Sequence, residues 1–131
     1  MKNADIHLLI ARLCLAAIFI YSGVTKLVGW EGALAEFSGL GLPFPALAVL
    51  ATIAVQLAGG LAVASGYGAR TAALVLAGFT IVATMIGHPF WRFEGEDFHR
   101  QLTVALEHLA IVGGFLLLAA RGPGALSLGR S

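Results

Sequence analysis

The chain has 131 residues, of which 59% are hydrophobic and 11% charged, against roughly 45–50% and 25% in an ordinary soluble domain. Eight basic and seven acidic residues leave a net charge of +1, and the mean hydropathy is +0.91. So few charges cannot cover a water-facing surface, and with no basic run there is no footprint for nucleic acid.

In chain order, four apolar runs are each long enough to cross a bilayer core of about 30 Å as a helix. They extend from His7 to Leu27, Ala46 to Ser65, Thr71 to His88 and Gln101 to Ala120. The first has Lys2 ahead of it, as a signal peptide would. Arg12 interrupts its apolar stretch, however, and YSGVTKL offers no small-residue cleavage site, so it reads as a permanent span. Next comes EGALAEFSGL, Glu31 to Leu40, whose Leu34, Phe37 and Leu40 recur at helical spacing and predict a short interfacial helix. GLGLPFP, Gly39 to Pro45, breaks it, because prolines lack a backbone donor and glycines favour turns. Gly66-Tyr67-Gly68 is so short that the second and third spans must form an antiparallel hairpin. PFWRFEGEDFHR carries charges of both signs and must leave the hydrocarbon, and RGPGALSLGRS forms a polar tail. The fold class expected is all-α: a polytopic four-transmembrane-helix bundle with a short outer interfacial helix, one domain over residues 1–131.

Four spans place both termini on one side. Lys2, Arg12, Arg70, Arg121 and Arg130 then face three basic residues opposite, Lys26, Arg92 and Arg100, which predicts cytoplasmic termini. Trp30, Trp91, Phe90 and Phe93 fall at the outer boundaries, where aromatic rings anchor helices.

Polar groups inside hydrocarbon must face a partner or a wet cavity, so they mark candidate sites. Arg12, Phe19 and Lys26 share a face of the first span, with Ser22 one turn before Lys26. Thr52, Gln56 and Gly59 share a face of the second; Thr80, Thr84 and His88 of the third; Thr103, Glu107, Ala110 and Gly114 of the fourth. His108 turns about 100° from the last stripe. Four such stripes converge in a bundle and gather Lys26, Gln56, His88, Glu107 and His108 toward an outer-half pocket, with Trp91 at its rim. Purely structural roles stand beside these: Lys26 snorkelling to the interface, and Glu107 pairing with Lys26 or His88 to satisfy charge. Arg12 reads as a bundle-internal charge or a headgroup contact. Gly59-Gly60 and Gly113-Gly114 fit a duplicated hairpin or simple helix packing.

The run RLCLAAIFIYSGVTKL, then GLPFPALA, QLAGG, the glycine turn ending in Arg70, HPFW, and finally LEHLAIVGGFLLL, resembles the DoxX family in order and spacing. The resemblance implies a small bacterial inner-membrane protein with four transmembrane helices. The family is named for likeness to a membrane subunit of a thiosulfate:quinone oxidoreductase, and some members are linked to membrane oxidoreductase complexes. Two departures stand out. Gln56 replaces a Glu that many relatives carry, and Glu107-His108 replaces a Lys-Asn pair.

The functional reading expected is a redox-associated membrane subunit with a pocket for quinone or a similar small ligand. Lys26, His88 and His108 would donate hydrogen bonds and Glu107 would carry protons. One cysteine, Cys14, excludes an intrachain disulfide, a CxxC pair and a thiolate zinc site. The chain offers no dithiol, flavin motif or iron–sulfur ligand set, so electrons would come from a partner oxidoreductase subunit. Haem is not expected, because His88 and His108 read as lying at different depths, and no metal-ligand spacing stands out. The alternatives are a non-enzymatic scaffold or assembly partner, and a small oligomeric transporter using Glu107. The partners expected are the lipid bilayer, an oxidoreductase subunit and copies of the chain itself.

Overall fold

The computed structural model describes residues 2–129. Arg130, counted above on the inner side, lies outside them. The described residues form α1 (Asn3–Val28), α2 (Trp30–Gly39), α3 (Pro45–Ser65), α4 (Ala69–Gly87) and α5 (Gly95–Arg121), with a 3₁₀ turn at Phe90–Arg92, and contain no strand. The four long helices are long and apolar enough to cross a membrane. The molecule is an all-α polytopic membrane protein.

Each helix boundary has a local cause. Pro45 opens α3 at its first turn, where its missing N–H costs no intrahelical bond. The α3–α4 hairpin turns on Gly66 and Gly68, both at positive φ, a conformation that glycine adopts without penalty. One boundary differs from the expectation: α5 begins at Gly95 rather than Gln101. Glu96 and Asp97 in its first turn complement the helix dipole, and Arg100 pairs with Asp97 on the same face. Half of the charged third connection is therefore helical.

The interior forms where α1, α3, α4 and α5 converge on Ala16, Phe19, Val63, Leu76 and Phe115. The Phe19 ring lies 5.5 Å from that of Phe115 and 6.5 Å from that of Phe79. Lipid tails are as apolar as leucine, so close packing has to hold the helices together. A Cβ on Gly60 would lie 2.8 Å from Ile20 Cγ1, which shows how near α3 approaches α1. Leucines and isoleucines such as Leu13, Leu50, Leu74 and Leu117 cover the outside, as lipid contact requires.

The predicted interfacial helix is present as α2, but its buried face is Ala33 and Phe37, packed on Val49 and Ile53 of α3, while Leu40 is exposed. It leans on the bundle rather than on lipid alone. Of the duplicated glycines, Gly60, Gly59 and Gly114 each face a neighbouring helix, whereas nothing approaches Gly113. That is the packing alternative.

The start of α1, the end of α5 and the α3–α4 turn share one end, here the termini end; α2 and the 3₁₀ turn mark the opposite, loop end. Residues 122–129 fold back across the termini end. Leu128 N donates to Ser65 O at 2.8 Å, Ala125 N to Asp5 Oδ1 at 3.0 Å, and Arg12 Nη2 to Leu126 O at 2.5 Å. α3 packs along both α1 and α4, and α4 along α5, whereas α1 and α5 touch sparingly.

Candidate functional site

The loop end brings two imidazoles together. His88 caps the C-terminus of α4, its backbone N–H reaching Thr84 O at 2.8 Å. His108 projects from α5 toward it, and the ring centroids lie 5.4 Å apart at 76°. Both side chains are half-buried. The depth separation read from the sequence therefore does not hold. α5 starts earlier and packs against α4 so that its second turn within the apolar run meets the end of α4. The argument against haem that rested on depth falls with it.

Hydrogen-bond counting fixes the chemistry of the pair. Thr84 Oγ1 donates its single hydrogen to Thr80 O at 2.6 Å, as Thr80 Oγ1 does to Leu76 O at 2.7 Å. This is the usual i−4 bonding of a helical threonine. Having spent its hydrogen, Thr84 Oγ1 must accept from His108 Nδ1–H, 2.8 Å away. On the other ring, Gln101 Oε1 can only accept, so His88 Nδ1–H donates to it at 2.8 Å. In the neutral pair both hydrogens sit on Nδ1, and both Nε2 atoms carry a lone pair. Such a pair can accept two hydroxyl hydrogens, or hold and release protons at Nε2. Beside it runs a chain of edge-on aromatics: Phe90 to Trp91 at 5.2 Å, Phe90 to Phe98 at 6.1 Å and Phe98 to His99 at 5.5 Å.

Of the six residues singled out from the sequence, the structure brings His88 and His108 into contact. Trp91 follows three residues after His88, in the 3₁₀ turn, 53% exposed. Gln56 is buried in mid-α3, and its Oε1 has no donor. Lys26 is half-buried at the end of α1, in the field of Glu36 on α2. Glu107 is exposed, and among the described residues no bond or ion pair joins it to Lys26 or His88. The stripes of α1, α3 and α4 turn inward as expected, but Thr103, Glu107 and Ala110 on α5 face outward. Phe115 decides this. Its packing against Phe19 fixes the rotation of α5, and His108, seven residues earlier, shares its face. Gln101, which completes the site, continues that same heptad spacing; the signal was present as the row Gln101, His108, Phe115. Arg12 is fully buried, a bundle-internal charge. Among the described residues no group of three or more His, Cys, Asp or Glu stands ready for a metal.

Comparison with known proteins gives a consistent picture. Residues 7–89 match the DoxX family. The chain is 33% identical over 123 residues to "Inner membrane protein YphA" of Escherichia coli (strain K12), covering 94% of this chain and 88% of that one. It is 36% identical over 129 residues to "Inner membrane protein YqjF" of the same organism, covering 98% and 94%. It is 32% identical over 120 residues to "Putative oxidoreductase CatD" of Bacillus subtilis (strain 168), covering 88% and 86%. No solved structure matches significantly. The family match ends at Pro89, so His108 and Gln101 lie beyond it.

Proposed function

The chain belongs to the DoxX family, and from that premise we propose that it is a redox-associated inner-membrane subunit that binds a quinone or its quinol at the His88–His108 pair. The observation that carries this reading is the adjacent imidazole pair with both Nδ1 hydrogens engaged. Its two Nε2 lone pairs can accept the two hydroxyl hydrogens of a quinol. The apolar, aromatic surroundings at Phe90 and Trp91 suit a hydrophobic ring.

Oxidising a quinol releases two electrons and two protons. The two Nε2 atoms would accept the protons, one each, and release them to the aqueous loop end. The reverse reaction draws them back. The electrons would be exchanged with an associated oxidoreductase chain, a reading supported by the likeness to the putative oxidoreductase CatD. Trp91 and Phe90 would flank the ring. Gln56 and Lys26 lie outside this pair, and Glu107, next to His108 in the chain, makes no bond with either ring among the described residues. The excess of Lys and Arg at the termini end supports cytoplasmic termini, and so a site facing the opposite side; a reporter fused at Ser131 tests that assignment.

Binding is tested by titrating decylubiquinol into the purified protein and following the fluorescence of Trp91 in a Trp30→Phe background. Saturable quenching is expected, with affinity lowered at least about tenfold (about 1.4 kcal/mol) by His88→Ala or His108→Ala. No quenching, or quenching indifferent to both histidines, overturns the reading in favour of a scaffold role.

A further inference from the structure

The two rings of the imidazole pair are set from opposite helices. Thr84 belongs to α4 and takes the Nδ1 hydrogen of His108 on α5, while Gln101 belongs to α5 and takes that of His88 at the end of α4. Each helix thus fixes the tautomer of the other's histidine. Thr84 Oγ1 can only accept, because its hydrogen is spent on Thr80 O, and a glutamine Oε1 has no hydrogen to give. Both side chains are half-buried, where an unmet donor is costly.

With both hydrogens held at Nδ1, the pair offers a ligand two acceptors and no donor. Among the described residues no hydrogen bond reaches either Nε2. A quinol brings two hydroxyl hydrogens, which two lone pairs can take. The corresponding quinone brings two carbonyl oxygens, which only a donor can satisfy. The two redox forms share ring substituents and tail, so burial of apolar surface favours neither. Hydrogen bonding separates them, and a site built around a hydroxyl discriminates strongly against a ligand that lacks it.

We infer, on the reading of His88 and His108 as a quinone site, that the pair selects the reduced form and that Gln101 and Thr84 are the positioning residues that set this preference. Such a site takes up quinol from a quinone-reducing reaction. Once the pair has passed its protons on, both Nε2 atoms are acceptors again. They oppose the quinone carbonyls, which clears the site for another quinol.

The test is calorimetric titration of the purified full chain, under nitrogen and at about pH 8, where free imidazole is neutral. Decylubiquinol and decylubiquinone are added separately. The quinol should bind at least about tenfold more tightly, a difference of about 1.4 kcal/mol. Gln101→Met keeps the side-chain length and removes the acceptor, so His88 can carry its hydrogen on Nε2 and donate to a carbonyl. The ratio of the two affinities should then fall at least about threefold, and to about one when Thr84→Val is added. A residue that merely held the helices together would weaken both forms alike and leave the ratio unchanged. Nitrogen NMR without any quinone should show the His88 hydrogen leaving Nδ1 in Gln101→Met; if it stays, Gln101 does not set the tautomer and the inference falls. Equal binding of the two forms, tighter binding of the quinone, or a ratio that survives the double substitution also overturns it, and leaves the quinone site standing. Binding of neither form overturns the site itself and this inference with it.

Discussion

The two ends of the bundle bury polar groups in different ways. At the loop end, the Nδ1 hydrogens of His88 and His108 are absorbed by Gln101 and Thr84. At the termini end, Arg12 is a permanent cation whose one bonded nitrogen is met by a backbone carbonyl of the tail, and two of its nitrogens are unmatched. A site made of hydrogen-bonded imidazoles can change protonation. A fixed guanidinium cannot, because arginine stays charged, and it can only bind. The two ends thus differ in kind: one buries groups that can titrate, the other a fixed charge.

The sharpest break of this comparison is Arg12→Gln. A hydrogen bond to a charged donor contributes about 1.5–3 kcal/mol, and losing the one to Leu126 releases the strap formed by residues 122–129. Trypsin cleavage after Arg121 should then accelerate at least about tenfold, since about 1.4 kcal/mol is one power of ten. An unchanged cleavage rate would mean that the bonds from Leu128 to Ser65 and from Ala125 to Asp5 hold the tail alone. Arg12 would then have no anchoring part at this end.

A smaller effect is expected from Thr84→Val, which keeps the side-chain shape and removes the hydroxyl that His108 donates to. The cost should be about 1 kcal/mol in stability. Nitrogen NMR of the imidazole should also show the hydrogen of His108 moving from Nδ1 toward Nε2, while His88, bonded to Gln101, keeps its own. If His108 holds its tautomer in Thr84→Val, the threonine does not set the protonation of the pair, and the loop end loses the order that distinguishes it from the other.

The spans and their hairpin were legible in the sequence because an apolar run of bilayer length has one stable use, and a three-residue glycine turn permits one topology. The inward positions of Arg12, Gln56 and Thr80 were legible for the same reason. The termini end was not. Asp5 and Ala125 are 120 positions apart and Arg12 and Leu126 are 114 apart, and GPGALSLG has no periodicity to announce where it lands. The His88–His108 contact was hidden by the start of α5: six residues from Gly95 to Arg100 look like a charged loop, yet they are helical.

The rotation of α5 departs furthest from what its small residues suggest, and the smallest predicted effect tests it. The helix offers two polar stripes about 100° apart, one through Glu107 and one through His108, and small residues favoured the first. Bulk decided for the second, because Phe115 must bury its ring against Phe19 and carries His108 inward with it. Glu107, left on the outside, holds nothing together. Glu107→Gln should therefore shift stability by less than about 0.5 kcal/mol, as exposed substitutions do, and leave decylubiquinol binding unchanged. Were Glu107 instead the inward partner of Lys26 or His88, removing its charge would strand a buried cation and cost several kcal/mol. Thermal unfolding of this single variant separates the two rotations of the helix. A large loss would return the carboxylate to the interior and displace His108 from the pair on which the loop-end chemistry is built.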